Sequence, residues 1–256
     1  MLNTVHYGET KARPLIVAHG LFGSARNWSV LSKRLSDQRP VIAVDMRNHG
    51  ASPWFDRHDY FAMSEDLAEV IKASGGIADV LGHSMGGKAA MVLALRRPEL
   101  LGKLVVADIA PISNATSQVH LIDAMQAVNL AAVQSRRDAD VQMSEAVKDS
   151  AVRAFLLQSL DLKSDPKAWK LNLSVLKATM NNSIGFPDVQ GRFAGPALFV
   201  TGGASDYVKA AHHAVIKGFF PNVDITPIPG AGHWLHAEKP RELESMVRDF
   251  LNQPHV

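Results

Sequence analysis

Short apolar runs alternate along the chain with longer segments in which apolar residues recur at helical spacing. Most of the runs lack the polar and apolar alternation of a half-exposed strand, so they indicate strands covered on both faces. The predicted strands are Asn3–Tyr7, Leu15–Ala18, Val41–Val44, Ile77–Leu81, Lys103–Asp108, Ala197–Thr201 and Val223–Ile228. Strands that alternate with helices predict an α/β fold with a mainly parallel, twisted sheet and helices on both faces.

The pattern changes between residues 112 and 191. This stretch carries apolar residues at helical spacing and no convincing strand. We interpret it as a helical cap inserted between two sheet strands, with residues 1–111 and 192–256 forming the core. A segment inserted at this place can cover an active site and shape its pocket. The alternative is a helical layer with no role in binding substrate.

Composition narrows the class of protein. Of 256 residues, 46% are hydrophobic and 20% are charged, which fits a globular fold. The 27 Lys and Arg nearly balance the 25 Asp and Glu, which argues against a nucleic-acid-binding face. The absence of cysteine excludes disulfides and thiolate catalysis. With no secretory pattern and no apolar run of the roughly 20 residues that a membrane span needs, we expect a cytoplasmic protein.

The segment Gly82–Gly86 reads G-H-S-M-G and lies between a predicted strand and a predicted helix, Met85–Arg97. In a G-x-S-x-G elbow, the glycines permit a turn so tight that the serine is held clear of the sheet. Its place at a helix N-terminus favours a developing negative charge. We therefore predict Ser84 as a nucleophile.

A serine hydroxyl needs a neighbouring base to accept its proton. His233 is the best candidate, because it lies in a glycine-rich loop between the last strand and the final helix, Pro240–Leu251. His236 is the nearest rival. His83 adjoins the serine, but its side chain is expected to point away and to have a packing or hydrogen-bonding role.

The residues alone do not decide which aspartate is the acid that orients the histidine. Asp108 ends one predicted strand, and Asp206 follows the next. Both satisfy the chain order of serine, acid and histidine.

An oxyanion hole is predicted from two backbone amides. The strand that ends in H-G supplies the first, which we assign to Leu21 with Phe22 as the alternative. Met85, directly after the serine, supplies the second. The side chains of these three residues are expected to line an apolar acyl pocket.

The chain resembles the α/β-hydrolase superfamily, and more narrowly the small bacterial YbfF-type esterases, from about Leu15 to Leu251. The motifs that carry the resemblance are H-G-L-F-G, D-M-R-N-H-G-x-S, G-H-S-M-G-G-K, D-I-A-P and G-A-G-H-W-L-H-A-E-K-P, in this order. The resemblance implies that Asp108 is the acid, since it precedes Ala-Pro at a strand end. In the wider family the acid follows the next strand, at the position that Ser205 fills here, one residue before Asp206.

The expected activity is hydrolysis of carboxylic esters or acyl thioesters with short to medium acyl chains, through an acyl-enzyme. The resemblance implies small acyl ester or acyl-CoA substrates, and neither cofactor nor metal. Other serine-triad chemistries on this fold are alternatives: perhydrolysis, lactone opening and C–C hydrolysis. A non-catalytic binding protein is an alternative from another class. The sequence does not predict the oligomeric state.

Overall fold

The computed structural model describes residues 1–113 and 117–254. Residues 114–116 of the predicted cap lie outside the described part of the chain. The strands are β1 (Thr4–Tyr7), β2 (Leu15–Ala18), β3 (Val41–Val44), β4 (Ala78–His83), β5 (Leu101–Ala107), β6 (Leu160–Asp161), β7 (Ala168–Trp169), β8 (Ala197–Gly202) and β9 (Val223–Ile228).

Seven of these strands form one sheet in the order β1-β3-β2-β4-β5-β8-β9. Strand β1 runs antiparallel to β3, and every other pair in this sheet is parallel. The predicted α/β class with a mainly parallel sheet is confirmed. Because parallel strands place their carboxyl ends at one edge, the loops that follow β2, β4, β5 and β8 meet at that edge.

Helices cover the sheet and fill the segment between β5 and β8. They are α1 (Ser29–Leu35), α2 (Tyr60–Ala73), α3 (Met85–Arg96), α4 (Val119–Gln126), α5 (Arg136–Met143), α6 (Ser150–Leu156), α7 (Leu173–Ala178), α8 (Met180–Ile184), α9 (His213–Phe219), α10 (Leu235–Glu238) and α11 (Pro240–Asn252). No helix in the described ranges is long and apolar enough to cross a membrane.

Two apolar clusters lie on opposite faces of the sheet. Along β2, Ile16 and Ala18 join the cluster that contains α2, α3 and α9, whereas Leu15 and Val17 join the one that contains α1 and α11. Successive strand residues point to opposite faces, so a strand buried on both sides must be apolar at every position. This explains why the strands read as continuous apolar runs.

A third apolar cluster occupies the stretch predicted as a cap. It contains residues of α4 to α7, and Phe22 of the loop after β2 packs into it. The expectation of no strand there is wrong in one detail, because β6 and β7 form a two-stranded antiparallel ribbon. Each strand of the ribbon has two residues, too few to show a period in the sequence.

Candidate active site

Ser84 stands in the turn between β4 and α3 with φ 51° and ψ −116°. Such angles are costly for a residue with a side chain, so the surrounding packing must hold them. That packing is tight: a Cβ at Gly82 would lie 2.4 Å from the carbonyl oxygen of Gly86, and one at Gly86 would lie 2.4 Å from that of Ala18. The two glycines of the elbow therefore allow β2, β4 and α3 to meet around the serine.

Asp108 directly follows β5 and is fully buried, with a positive φ of 49°. Its Oδ1 accepts a hydrogen bond from the Gly202 amide at 2.9 Å. Its Oδ2 accepts from His233 Nδ1 at 2.8 Å and from the Ser205 hydroxyl. A buried carboxylate is stabilised when donors surround it in this way, and it in turn fixes the orientation of the imidazole.

His233 lies in the loop between β9 and α10, and contacts from three sides fix it. Besides the bond to Asp108, its ring stacks on that of Tyr207, with 3.7 Å between the ring centroids. Its carbonyl oxygen accepts a hydrogen bond from His83 Nε2 at 2.9 Å. With Nδ1 donating to Asp108, Nε2 is left as the basic nitrogen of the neutral ring.

The structure brings the predicted residues to one cavity. Ser84, His233, Leu21, Phe22 and Met85 all line it. Its other walls come from the stretch between β5 and β8 and from α3, through side chains that include Val152, Phe155 and Lys88.

The two oxyanion candidates in the loop after β2 differ in their hydrogen bonding. The Phe22 amide donates to His49 Nε2 at 3.2 Å and is therefore occupied. In residues 1–113 and 117–254, the amides of Leu21 and Met85 donate to no protein acceptor. The geometry favours Leu21 and Met85 as the pair with unused donors.

The rival residues make other contacts, although His236 lines the same cavity as Ser84. The Asp206 side chain is 92% exposed and pairs with Lys209 at 2.9 Å, so it does not contact His233. His236 is stacked on Trp28, with 4.5 Å between centroids. Burial lowers the pKa of His236 to about 4, so the ring is neutral near pH 7.

His83, next to Ser84 in the sequence, supports the loop that carries His233. His83 is buried, and burial holds its pKa well below the ordinary value, so the ring is neutral and carries one N–H. That N–H donates to the carbonyl oxygen of His233 and so connects the end of β4 to the loop between β9 and α10. The predicted hydrogen-bonding role agrees with this contact.

The sequence did not indicate that Ser205 and Tyr207 contact Asp108 and His233. Both follow β8, where Ser205 donates to Asp108 and Tyr207 stacks on His233. Serine is common in loops, and an aromatic residue is common anywhere near a core. The one available signal was that Ser205 fills the position where the wider family carries its acid.

The loop after β3 braces the site without lining the cavity. His49 accepts from the Phe22 amide, and Asp45 accepts from the Ala25 amide at 2.7 Å, so this loop holds the loop that follows β2. On its other side, Asn172 donates its amide to the Asn48 carbonyl at 3.0 Å, which connects it to the start of α7. These contacts make the loop after β3 a brace between the loop that follows β2 and the start of α7.

Within the described part of the chain, no group of three or more His, Asp or Glu side chains is arranged to hold a metal ion.

Comparisons with known proteins agree on one family. A model of the alpha/beta hydrolase fold matches residues 13–240. The chain is 40% identical to the sn-1-specific diacylglycerol lipase ABHD11 of Mus musculus, covering 95% of this chain and 82% of the relative. It is 36% identical to esterase YbfF of Escherichia coli, covering 93% of each. A solved marine microorganism esterase, also 36% identical, superimposes with a TM-score of 0.92 over 97% of this chain and 98% of that one.

Proposed function

This chain belongs to the α/β-hydrolase fold family, and from that premise we propose that it is a serine esterase that works through an acyl-enzyme. Ser84 is the nucleophile, His233 the general base and Asp108 the acid. Relatives that are named esterase and lipase support ester hydrolysis as the reaction class.

One observation carries the proposal. The 2.8 Å bond between His233 Nδ1 and buried Asp108 orients an imidazole that lines the same cavity as the serine of a strained strand-to-helix turn. A binding protein has no need for a strained serine beside an oriented base.

The first half-reaction follows from these roles. The Ser84 oxygen attacks the ester carbonyl while His233 Nε2 takes its proton, and Asp108 stabilises the imidazolium that forms. The amides of Leu21 and Met85 donate to the oxygen that becomes negative. Losing one donor of this kind typically costs about 3–4 kcal/mol of transition-state stabilisation. His233 then protonates the leaving alcohol, which leaves the acyl group on Ser84.

In the second half-reaction, water replaces the alcohol. His233 takes a proton from the water as its oxygen attacks the acyl carbonyl. The bond between the acyl carbon and the Ser84 oxygen then breaks, His233 returns the proton to that oxygen, and the carboxylic acid leaves.

The segment between residues 112 and 191 acts as a cap in this proposal. Its apolar residues Val152 and Phe155 line the cavity together with Leu21 and Met85. An apolar cavity of this kind favours short to medium acyl chains, carried as esters or as acyl-CoA thioesters. The cytoplasmic location expected from the sequence stays a prediction.

The test is turnover of p-nitrophenyl acetate and butyrate by the wild type and by Ser84→Ala. We expect the variant to lose about 10⁴-fold or more in kcat while keeping its circular dichroism spectrum. Unchanged turnover in Ser84→Ala would contradict the proposal, and a wild type that turns over no ester at all would favour the binding-protein alternative.

A further inference from the structure

A buried lysine lies in the wall of the cavity, one helical turn beyond the nucleophile. Lys88 follows Ser84 by four residues on α3, is 1% exposed and lines the cavity. Its ammonium donates to the carbonyl oxygens of Ile184 and Gly185, at 2.8 and 2.7 Å. These two bonds use two of its three N–H groups.

The Lys88 ammonium has no counter-charge in the described ranges. No carboxylate lies within ion-pair distance of its Nζ. Burial lowers the pKa of Lys88 to about 7, and no neighbouring acid opposes that effect. A buried cation is costly unless it is paired, so an anion bound beside Lys88 would favour its protonated form.

A second polar group close by also lacks a partner. The Ser183 hydroxyl oxygen is buried and has no hydrogen-bond partner among the described residues. Ser183 lines the same cavity and directly precedes Ile184, the residue that Lys88 contacts. The Tyr60 hydroxyl donates to the Ser183 carbonyl at 2.5 Å and fixes the backbone there. Lys88 and Ser183 therefore line the same cavity. The lysine has one N–H beyond its two hydrogen bonds and lies 5.8 Å from the centre of the Tyr60 ring, and the serine has an unpaired hydroxyl.

We propose that Lys88 and Ser183 form a subsite for a carboxylate carried on the acyl group, so that half-esters of short dicarboxylic acids are preferred substrates. The inference rests on the proposed function and names its substrate class. Two donors, one of them charged, match the two oxygens of a carboxylate. A diester or a simple fatty ester offers no such anion.

The distance along α3 limits the length of the acyl chain. One turn of helix advances about 5.4 Å, so the lysine is anchored close to the serine whose oxygen becomes acylated. A short chain can place its far carboxylate at Lys88 while its carbonyl stays at Ser84. Succinate, glutarate and adipate cover this range.

The experiment compares matched substrate pairs with the full chain. Monoethyl succinate, glutarate and adipate are paired with ethyl 4-methylpentanoate, 5-methylhexanoate and 6-methylheptanoate, in which an uncharged branched end replaces the carboxylate. We expect kcat/KM of the wild type to be at least about tenfold higher for the half-ester of the best pair, because a charge-assisted hydrogen bond is gained.

Substitutions at Lys88 and Ser183 test whether these residues produce the preference for the half-ester. Lys88→Met should remove the preference, and Ser183→Ala, which leaves the lysine in place, should reduce it about threefold or more. Lys103→Met is the matched control: its buried ammonium also donates to backbone carbonyls, those of Phe250, Leu251 and Gln253, but it does not line the cavity. That variant should keep the full preference for the half-ester.

The outcomes separate this inference from the proposed function. If the wild type hydrolyses the uncharged esters as well as or better than the half-esters, the carboxylate subsite is wrong and the esterase proposal stands. A preference that persists in both Lys88→Met and Ser183→Ala would also overturn the subsite. If Lys88→Met does not fold, Ser183→Ala and the wild-type ratio decide. Failure to hydrolyse any of the esters would count against the esterase proposal itself.

Discussion

Asp108 contacts His233, whereas Asp206, the other candidate for the acid, does not. Asp108 is fully buried and contacts the imidazole, whereas Asp206 is exposed and pairs with Lys209. Asp108→Asn should lower kcat about 10⁴-fold, because an amide at this position favours the wrong tautomer of His233. Asp206→Asn should stay within about twofold of the wild type, as exposed substitutions usually do.

Steady-state kinetics of the two variants, measured side by side on p-nitrophenyl butyrate, checks the assignment. A larger loss in Asp206→Asn would show that the acid lies after β8.

His58 makes the stability of the fold depend on pH. Burial, and after it the Arg47 guanidinium, lowers the pKa of His58 from 6.5 to about 4. The unfolded chain therefore binds more protons between these values, and the stability present above pH 6.5 is lost as the pH falls toward 4. For this one group the loss is about 3 kcal/mol. In His58→Asn, whose amide oxygen can still accept from Asn48, we expect a shallower decline.

Urea unfolding at a series of pH values from 7 to 4 measures this effect. His120→Asn, at an exposed histidine, is the control and should follow the wild type. An identical slope for His58→Asn and the wild type would contradict the assignment.

Single residues could be predicted where chemistry and local sequence agree. Ser84 was predicted as the nucleophile because its neighbours force a recognisable turn, and His233 as the base because it follows glycines before the last helix. Ser205 and Tyr207 could not, since each acts through a contact with a residue distant in the sequence. Lys88 looked like one residue of a helix, and its burial against Ile184 becomes visible only when the chain is folded.

At the scale of elements, the elbow depends on the close approach of β4 and α3. A Cβ at Gly82 would lie 2.4 Å from the carbonyl oxygen of Gly86, and backbone atoms cannot yield cheaply. Gly82→Ala should therefore destabilise the fold by about 2 kcal/mol or more. Gly218 in α9 has no atom within 4 Å of such a Cβ. Gly218→Ala should stabilise by about 0.5–1 kcal/mol, because alanine loses less entropy in a helix.

Thermal or urea unfolding of the two variants provides the comparison. Similar shifts in both would mean that backbone crowding at the elbow is not what demands glycine at position 82.

Strands and helices were predictable because both faces of the sheet are covered. Six of the seven sheet strands begin at the predicted residue or one residue from it; β4 ends two residues later than predicted and β5 begins two residues earlier. Gly82 and His83 interrupt the apolar run, yet they still pair with β5 opposite Val106 and Ala107. The ribbon of β6 and β7 depends on pairing between short segments, which leaves no periodic signal.

At the scale of the whole molecule, the sheet edge gathers the loops and the loop after β3 connects them. Through His49 this loop holds the Phe22 amide, and through Asn48 it holds the start of α7. The loop after β2 and the proposed cap are thus connected by a segment that does not line the cavity. The partner of this loop at the start of α7 could not be foreseen from the sequence, since it lies more than a hundred residues away in the chain.

The proposed acyl-enzyme mechanism depends most on one reactive hydroxyl, that of Ser84. Treating the folded protein with a fluorophosphonate, followed by mass measurement of the intact chain and mapping of its peptides, tests this directly. We expect one adduct, on Ser84, and none in Ser84→Ala. An unlabelled wild type, or an adduct on another residue such as Ser205, would contradict the account.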